Sequence, residues 1–547
     1  AGFDASFGAQ PERYFSAPGR TEIGGNHTDH QRGRVLAAAV NLDTVAAVRK
    51  NGTNTIRIQS KGYPMSVVEL DRLEPVSAEI NATPALIRGV AARFTQLGCK
   101  VEGFDAYCES TVLPGSGLSS SAAFEVLICT VFNYLYNDGK LDAVRNGTSN
   151  VIVWHLAGGV TYQLRSFEPY TMQYMELAAI GGAVQVRGLG LRRYDFPAAQ
   201  IVNTVAMPTP RLQKIYDAAV ETFRQNTVDI YMDCPSRERA GWLCDSFFTS
   251  RVEYALTGKS ELERAFLQCF ILPESFEYIP KGMLPMCYPS DHYDRTYIPN
   301  WAMWYAVELC EYFNRTGDRE FVDSTKDKMY ALINFFKKYE NEYGLLENLE
   351  SWVFLEWSKS NELTQDVSFA SNMLYAYMLD GLGKLYGDNA LVEKAAALRT
   401  VINEMSMTES GFYCDNAYRR DGKLVLSGER TESCQYYAFF CGTATPETHP
   451  WLWDTLVHDF GYARAEKGLF PEIWPANAFI GNYLRLDLLD RYGLKDELYD
   501  NIKGYFNYMA EKTGTLWELV APQASCNHGF ASHVIHWMNS LGLLAHH

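Results

Sequence analysis

The chain has 547 residues, of which 47% are hydrophobic and 14% aromatic, and its formal net charge at pH 7 is -16. This composition excludes a disordered protein and predicts about two to four domains with large buried cores. The acidic balance excludes a nucleic-acid-binding surface, which needs clustered basic residues. No apolar run approaches the roughly 20 residues that are needed to cross a membrane.

The 12 cysteines are scattered through the chain without a Cys-x-x-Cys pair. This spacing disfavours zinc-ribbon and thioredoxin-like chemistry and favours a reducing compartment. The amino terminus also lacks a basic and apolar leader. We therefore predict a cytoplasmic protein without a metal site, and leave open export to the periplasm or secretion after removal of a signal peptide.

Residues 1–142 have the pattern of a mixed α/β fragment. Strands are predicted at residues 34–48, 55–59 and 66–69, and a helix at residues 84–97. Residues 113–123, Leu-Pro-Gly-Ser-Gly-Leu-Ser-Ser-Ser-Ala-Ala, then open an apolar helix. A Gly/Ser loop at a helix start presents free N–H groups and a positive dipole end to a phosphate. By itself such a loop is equally well explained as a helix cap.

Two motifs in this region resemble a known kinase family. Residues 19–31, Gly-Arg-Thr-Glu-Ile-Gly-Gly-Asn-His-Thr-Asp-His-Gln, resemble the sugar-binding signature of galactokinases, and residues 114–123 resemble the phosphate loop of the wider GHMP kinase family. The resemblance covers about residues 10–142. It implies that galactose hydroxyls are bound by Glu22, His27 and Asp29, that the transferred phosphate lies near Arg20, and that the ATP phosphates are held by Gly115, Gly117, Ser119 and Ser120.

The sequence departs from the kinase pattern after residue 142. Galactokinases continue into a Gly-x-Met-Asp-Gln loop that carries the catalytic aspartate and into a complete second lobe, and neither follows here. A phosphoryl-transfer site without its base does not position the nucleophile and the phosphate together. We therefore predict that this fragment is not a working kinase. The sequence leaves open why it precedes the rest of the chain and whether it binds sugar or ATP.

The sequence pattern changes at residue 143 and again at residue 211. Short strands are predicted at residues 151–155, 160–165, 171–178 and 183–191, separated by Gly-Gly pairs and a proline, so that residues 143–210 are predicted to form a β-rich connecting segment. From residue 211 to residue 547, apolar residues recur with i, i+3, i+4 spacing, which predicts helices at residues 211–226, 242–256, 299–314, 322–339, 368–385, 392–405 and 477–492. Several of these helices are predicted to end in a glycine cap: Gly258, Gly317, Gly387 and Gly493. Long aromatic-rich loops between these helices favour a closed ring of helical hairpins with a pocket at one mouth. A helical domain with ordinary caps is the alternative.

A first carboxylate motif lies in residues 233–245, Asp-Cys-Pro-Ser-Arg-Glu-Arg-Ala-Gly-Trp-Leu-Cys-Asp. Pro235 and Gly241 break regular structure, so the motif is predicted to form a bent loop, with a helix that begins near Trp242. Binding and catalytic residues concentrate in loops on rigid scaffolds. An ion-paired structural corner is the competing explanation for this density of charge.

A second carboxylate motif, Gly-Thr-Leu-Trp-Glu, occupies residues 514–518 and is followed by Asn527 and His528. Glycoside hydrolysis needs one carboxyl group that protonates the leaving oxygen and one carboxylate that activates water or attacks directly. The two motifs are far apart in the chain. They can meet only if the helical region closes on itself, as a ring of hairpins does.

With both motifs in view, the region resembles the catalytic domain of α-L-rhamnosidases, glycoside hydrolase family 78, over about residues 160–545. The resemblance implies a six-hairpin (α/α) barrel, so the whole chain is predicted to be multidomain and mainly α, with an amino-terminal α/β GHMP-kinase-like fragment and a short β segment. The predicted boundaries are residues 1–142, 143–210 and 211–547. Residues 356–358, Glu-Trp-Ser, stand where the family often has Gly-Asp-Trp, which leaves the identity of the sugar open.

Carried over position by position, the resemblance makes Glu238 the general acid and Glu518 the general base, with inversion at the anomeric carbon. Such an acid needs a raised pKa, which burial beside other carboxylates supplies. The remaining candidate substrate-binding residues are Asp233, Arg237, Trp242, Asp245, Trp357, Trp517 and His528. For the tryptophans and the histidine, a role in the core is the competing explanation.

The predicted function is hydrolysis of a terminal α-L-rhamnoside, or of a glycoside of a similar deoxy sugar, without a cofactor and without a metal. The partner is a carbohydrate substrate, with no nucleic acid and no membrane, and the oligomeric state and the aglycone are left open. A galactokinase-like sugar kinase and a non-catalytic carbohydrate-binding protein are the two alternatives. Turnover of galactose with ATP would favour the first, and a carboxyl separation unsuited to hydrolysis would favour the second.

Overall fold

The structure is a computed structural model and divides into two compact units, which are described separately. The first unit comprises residues 1–167, 172–185 and 521–523, and the second comprises residues 168–171, 186–520 and 524–547. The described residues are 2–24, 36–80, 82–96, 98–111, 120–137, 144–145, 148–149, 154–164, 177, 182–202, 206–235, 238–290, 294–477, 480–520 and 524–544.

The first unit is built on a five-stranded sheet. After a short helix α1 (Gly2–Phe7), the strands are β1 (Arg13–Gly24), β2 (Leu36–Lys50), β3 (Thr55–Ser60), β4 (Ser66–Glu69) and β5 (Phe104–Ser110). Their order in the sheet is β1-β2-β5-β3-β4, in which β3 and β5 run parallel and the other neighbours run antiparallel. The strands predicted at residues 34–48, 55–59 and 66–69 are confirmed as β2, β3 and β4.

Two helices, α2 (Thr83–Gln96) and α3 (Ser120–Tyr136), pack on this sheet. They bury a continuous apolar core in which Ile87 of α2 and Phe132 of α3 meet sheet residues such as Val48 and Phe104. The predicted helix at residues 84–97 is confirmed as α2.

The connecting segment predicted at residues 143–210 contains little regular secondary structure in its described part. Two-residue strands β6 (Val144–Arg145) and β7 (Thr148–Ser149) pair with each other. Residues 154–164 and 182–197 contain no strand, so the strands predicted around residues 160–165 and 183–191 are absent from the described part of the chain. The apolar alternation is present, but a strand also needs a neighbour that accepts its backbone hydrogen bonds, and no neighbour is paired with these residues there.

The second unit is helical. Its helices are α4 (Pro210–Asn226), α5 (Asp245–Thr257), α6 (Glu261–Ile271), α7 (Pro299–Thr316), α8 (Arg319–Ser324), α9 (Lys326–Lys337), α10 (Phe369–Tyr386), α11 (Asn389–Ser406), α12 (Glu432–Phe440), α13 (Pro450–His458), α14 (Arg464–Lys467), α15 (Gly481–Arg491), α16 (Lys495–Thr513) and α17 (Val534–Ser540). The connections between helices also form a small three-stranded sheet of β8 (Val367–Ser368), β9 (Asn416–Arg420) and β10 (Lys423–Leu426).

Within the described residues, six of these helices form a closed inner ring. Helix α5 contacts α7, α7 contacts α10, α10 contacts α12, α12 contacts α15, α15 contacts α17, and α17 returns to α5. The inner helices are buried on most of their faces. In α5, for example, most residues are buried and Tyr254 is exposed. The alternate helices α4, α6, α9, α11, α13 and α16 bury only one stripe, as in α16, where Leu498, Ile502 and Phe506 recur every four residues. The predicted ring of six helical hairpins is therefore confirmed.

The inner helices begin at one end of the ring. Asn300 at the start of α7 donates to Ser371 at the start of α10 over 3.0 Å, and Ser433 at the start of α12 donates to Glu356, which also accepts from Gly481 at the start of α15. Helix starts carry free N–H groups and a positive dipole end. This end of the ring is therefore suited to hold carboxylates.

The glycine caps were correctly predicted. Gly258, Gly317 and Gly387 each follow a helix with φ between 67° and 70°, and Gly493 lies one residue beyond the cap of α15 with φ of 71°. The helix predicted at residues 322–339 is interrupted at Thr325, which ends α8 and precedes α9. Among the described residues, no helix combines the length and the apolar character that a membrane span requires.

Candidate active site

The first carboxylate motif folds into a closed loop that leads into the inner ring. The backbone N–H of Asp233 donates to the carbonyl of Ala240 over 3.2 Å, and the N–H of Ala240 donates to Oδ1 of Asp233 over 3.1 Å. A Cβ on Gly241 would lie 2.5 Å from the carbonyl oxygen of Tyr288, so only glycine fits there. The predicted bend is present, but the helix begins at Asp245 instead of near Trp242.

Asp233, Cys234 and Glu238 form a compact polar group in this loop, with their side-chain ligand atoms all within 4.8 Å of one another. The Cys234 thiol donates to Oε2 of Glu238 over 3.3 Å. Burial raises the pKa of Asp233 to about 7, the charge of His528 opposes this rise, and the neighbouring Glu238 adds to it. Asp233 therefore exchanges a proton near neutral pH beside Glu238, which is only half-buried.

Asp245, the first residue of α5, binds His528 from the other end of the domain. Nε2 of His528 lies 2.9 Å from Oδ1 of Asp245, and both side chains are buried. Burial alone would lower the pKa of His528, but the nearby charges of Glu518, Asp245 and Asp233 outweigh it and raise that pKa to about 9. His528 is therefore a buried cation at neutral pH, and it compensates a cluster of carboxylates.

Glu518 closes the same cluster. Its Oε1 accepts a hydrogen bond from the indole Nε1 of Trp357 over 2.9 Å, and its Oε2 accepts one from the backbone N–H of Ser525 over 3.2 Å. Oε2 also lies 3.8 Å from Nδ1 of His528. Glu518 is 8% exposed, so its carboxylate is buried among these donors and His528.

The two ends of the helical unit are joined by a backbone seam. The N–H of Gly529 donates to the carbonyl of Asp233 over 2.7 Å. A Cβ at Gly529 would lie 2.5 Å from the carbonyl oxygen of Met232. Asn527 adds two side-chain hydrogen bonds, one to Gln225 over 2.6 Å and one to Asn226 over 2.7 Å. These contacts bring the two motifs, which lie at opposite ends of the helical unit in the sequence, next to each other.

The structure therefore groups most of the predicted glycosidase residues. Asp245, His528, Glu518 and Trp357 are linked by direct contacts, and Asp233 with Glu238 joins them through the charge of His528 and the Gly529 seam. Each carboxylate comes from a loop or a helix start at the same end of the inner ring. This arrangement concentrates acidic groups around one buried imidazolium.

The other predicted residues lie in different settings. Trp242 is half-buried and pairs through its backbone with Cys287. Trp517 is 2% exposed and its indole N–H donates to the hydroxyl of Thr513 over 2.8 Å, so its ring packs inside the domain, and its stacking role stays a prediction. Trp357 is 40% exposed and presents part of its ring to solvent. Arg237 lies outside the described residues.

The residues predicted for a kinase-like sugar and nucleotide site fall largely outside the described part of the chain. Arg20 and Glu22 lie on β1 and Ser120 begins α3, but only their backbones are described. The remaining predicted residues are not described: His27, Asp29, Gly115, Gly117 and Ser119. Their roles therefore stay predictions.

Three further residues contribute to the cluster without having been assigned a role from the sequence. Cys234 donates to Glu238, Ser525 donates to Glu518, and Glu356, which precedes Trp357, accepts from the backbone of Asn477 and Gly481. Cys234 lies inside the first motif, in which the charged residues, and not the thiol, indicate the chemistry. Ser525 acts through its backbone, which no residue pattern reveals. Glu356 belongs to a stretch that departs from the rhamnosidase pattern, and this departure does not indicate an anchoring role.

A second polar cluster lies deeper in the ring, around Asp487, His533 and His536, whose ligand atoms lie within 4.8 Å of one another. Carboxylate and imidazole are common metal ligands. The guanidinium of Arg251, however, donates to both oxygens of Asp487 over 2.9 and 2.8 Å and lies 3.3 Å from Nε2 of His533. It borders a cavity of about 290 Å³. The cation that these residues would attract is already supplied by the chain.

In comparisons with known proteins, two parts of the chain match models of different families. Residues 202–422 match the bacterial alpha-L-rhamnosidase six-hairpin glycosidase domain. Residues 1–50 match the galactokinase galactose-binding signature, and residues 85–148 match the amino-terminal domain of GHMP kinases. These matches agree with the two resemblances predicted from the motifs.

Solved structures share the fold of the helical unit. A glycoside hydrolase family 78 rhamnosidase of Bacillus sp. GL1 is 19% identical with a TM-score of 0.54, over 62% of this chain and 35% of that chain. A rhamnosidase from Klebsiella oxytoca with rhamnose bound is 18% identical with a TM-score of 0.50, over 61% of this chain and 64% of that chain. At these identities the likeness establishes the fold. The helical unit therefore has the six-hairpin fold of these rhamnosidases.

The amino-terminal region has curated relatives of a different kind. A galactokinase from Clostridium tetani is 36% identical over 139 residues, and one from Lacticaseibacillus casei is 33% identical over 140 residues, in each case over 25% of this chain. The chain spans about a third of the length of these galactokinases, 35% and 36% respectively. The protein therefore combines a galactokinase-like amino-terminal region with an α-L-rhamnosidase-like six-hairpin domain.

Proposed function

We propose that the helical unit hydrolyses a terminal α-L-rhamnoside, or a glycoside of a similar deoxy sugar, with inversion at the anomeric carbon. The observation that supports this most directly is the carboxylate cluster around His528, in which Glu518, Asp245 and Asp233 from both ends of the domain surround one imidazole. The match of residues 202–422 to a rhamnosidase domain supports the choice of sugar.

In the proposed reaction, Glu238 is the acid. Its carboxyl group is half-buried and receives a hydrogen bond from Cys234, so it has both a fixed orientation and an opening to solvent. Its proton passes to the glycosidic oxygen as the bond from that oxygen to the anomeric carbon breaks. The aglycone leaves as an alcohol.

Glu518 is the proposed base. The oxygen of a water molecule forms the new bond to the anomeric carbon from the opposite face, and the proton that this water loses passes to Glu518. The indole of Trp357 and the N–H of Ser525 each donate a hydrogen bond to one oxygen of Glu518, which fixes the orientation of the carboxylate.

Asp233 and Asp245 are proposed to bind sugar hydroxyls, with Arg237 beside them. Both carboxylates are buried and share the charge of His528, so a hydroxyl that displaces water from them gains hydrogen bonds in a low dielectric. Trp242 and Trp357 are the proposed apolar walls. The methyl group of a deoxy sugar is well matched to such a ring face.

A panel of aryl glycosides tests the proposal. We expect an aryl α-L-rhamnoside to be hydrolysed faster than the corresponding glucoside, galactoside and fucoside, and proton NMR of the first product to show the inverted anomer. Hydrolysis with retention would overturn the acid and base roles, and absence of hydrolysis across the panel would overturn the function. Galactose with ATP is included in the panel, because residues 1–50 match a galactokinase signature.

A further inference from the structure

Glu356 is a buried carboxylate that ties three segments of the inner ring together. It is 0% exposed. It accepts hydrogen bonds from the hydroxyl of Ser358 over 2.5 Å, from the hydroxyl of Ser433 in α12, and from the backbone N–H groups of Asn477 and Gly481 over 3.2 and 3.0 Å. Gly481 is the first residue of α15, so the carboxylate also caps that helix against its dipole.

The residue that follows Glu356 is the one that contacts the proposed base. Trp357 donates from its indole to Oε1 of Glu518 over 2.9 Å. Asn477 holds the same dipeptide from the other side, because its backbone N–H binds Glu356 and its side-chain amide donates to the carbonyl of Trp357 over 3.1 Å. The anchoring of residue 356 therefore contributes to the position of the indole, together with the ring of Phe354, whose centroid lies 4.8 Å away.

The packing around Glu356 shows that this anchor leaves no spare room. A Cβ at Gly481 would lie 2.4 Å from Oε2 of Glu356. Ile480, which precedes it, has φ of 39°, in the left-handed region that β-branched residues rarely adopt. Such a conformation persists only where its surroundings fix it. The carboxylate of Glu356 fixes this helix start and the Trp357 loop at once.

We propose that Glu356 is a positioning residue, which holds the indole of Trp357 on Glu518 by clamping the Trp357 loop to the starts of α12 and α15. It does not touch the substrate. This inference rests on the proposed function for the role of Glu518, but the clamp itself is independent of it. Burial raises the pKa of Glu356 to about 7, and the donors from Ser358, Ser433, Asn477 and Gly481 oppose that rise, as expected for an anchor that acts as an acceptor.

The indole N–H resonance of Trp357 provides a direct test. In a proton–nitrogen correlation spectrum, this signal is assigned by its loss in Trp357→Phe, and it reports the hydrogen bond to Glu518. We expect it to move in Glu518→Gln and to move or broaden in Glu356→Gln. An unchanged signal in Glu356→Gln would overturn the clamp, whatever the activity of the protein.

A matched control is Glu253→Gln. Glu253 is also buried, and it accepts hydrogen bonds from the N–H groups of Leu262 and Glu263 at the start of α6 over 2.9 and 3.0 Å. It caps a helix as Glu356 does, but none of these partners carries the Trp357 loop. We expect the Trp357 signal to be unchanged in this control. A shift as large as that of Glu356→Gln would mean a general loss of packing and would also overturn the proposal.

Kinetics test the connection to catalysis. We expect Glu356→Gln and Trp357→Phe each to lower kcat by about tenfold, the effect of one hydrogen bond to a charged group. Because both act through the same indole, the double variant should be no slower than Trp357→Phe. Additive losses would overturn the role through Trp357. If Glu356→Gln does not fold, Ser433→Ala, which removes one donor, replaces it in both measurements.

The two proposals fail in different ways. If the wild-type protein hydrolyses no glycoside but the Trp357 signal moves as expected, the proposed function is rejected and the clamp stands. If the protein hydrolyses the rhamnoside but the signal does not move, the clamp is rejected and the function stands.

Discussion

His528 donates a hydrogen bond from Nε2 to Oδ1 of Asp245 over 2.9 Å, although 283 residues separate the two in the chain. Asp245 begins α5, and His528 directly precedes the turn that leads into α17. Because α5 and α17 are neighbours in the inner ring, this contact exists only when the ring of hairpins is closed. The carboxylate cluster is thus a product of the closure of the domain.

The raised pKa of His528 predicts that stability depends on pH. Its value of about 9 in the folded protein exceeds the value of about 6.5 in an unfolded chain, so the folded state binds this proton more tightly. The contribution to stability is complete below about pH 6.5 and is lost as the pH rises through 9. We expect the free energy of unfolding, measured with urea, to fall by up to about 3 kcal/mol across this interval.

His528→Asn is the control for this dependence. The variant lacks the titrating group, so its free energy of unfolding should change less between pH 6.5 and pH 9 than that of the wild type. The same slope in both proteins would contradict the assignment of the cation to His528.

Glu238→Gln and Glu518→Gln should each abolish hydrolysis of an aryl α-L-rhamnoside while the fold persists. Replacing a general acid or a general base typically costs about 10²–10⁴-fold in rate. Steady-state kinetics together with circular dichroism check this expectation, and Glu404→Gln on the exposed side of α11 serves as the control. Turnover close to that of the wild type by either variant would reject the corresponding role.

Gly529→Ala should destabilise the helical unit and reduce its activity together. A Cβ at this position would lie 2.5 Å from the carbonyl oxygen of Met232 and 3.1 Å from Cβ of Asn226. Overpacking of this kind costs about 1–3 kcal/mol, and here it also strains the hydrogen bond from Gly529 to Asp233. Urea unfolding measures the loss.

Gly190→Ala is the comparison for that variant, because no atom lies within 4 Å of a Cβ built at Gly190. We expect little change in its unfolding midpoint. Equal stability of the two alanine variants would show that the Gly529 seam tolerates a side chain.

Arg251→Met should be among the most damaging single substitutions in the ring. Arg251 donates to both oxygens of Asp487 and, through Nε, to Glu311 over 2.8 Å. Removing one partner of a buried ion pair costs about 3–5 kcal/mol, because the remaining charge is left uncompensated. The double variant Arg251→Met with Asp487→Leu should recover part of that loss in urea unfolding. A double variant that is less stable than the single one would contradict this account.

Much of the architecture could be predicted from residue patterns. The strands at residues 55–60 and 66–69 follow from their apolar alternation, and Gly258, Gly317 and Gly387 mark helix ends correctly because only glycine enters the left-handed region without strain. The inner helix α12 was not predicted, since it is short and buried on all faces and therefore shows no periodic apolar stripe. The strands predicted at residues 160–165 and 183–191 failed for the opposite reason, because alternation alone does not supply a pairing partner.

The site was predictable where chemistry sits in one short motif and hidden where it depends on distant contacts. The motif at residues 233–245 and the motif that ends in Glu518 can be recognised from their amino-acid composition. The hydrogen bond from Trp357 to Glu518 joins loops that are 161 residues apart, and no local pattern indicates it. Glu356 was even less visible, since its importance lies in four donors from three separate segments.

The hydrogen bond from Gly529 to the carbonyl of Asp233 has a consequence for biosynthesis. While the chain is being synthesised, the first motif emerges early, before the imidazole of His528 that contacts Asp245. Only when residues 528 and 529 leave the ribosome can the imidazole reach Asp245 and the seam form. The carboxylates are then gathered in one late step, so any catalytic competence of this domain should appear abruptly with the last helix and should be lost in fragments that stop short of it.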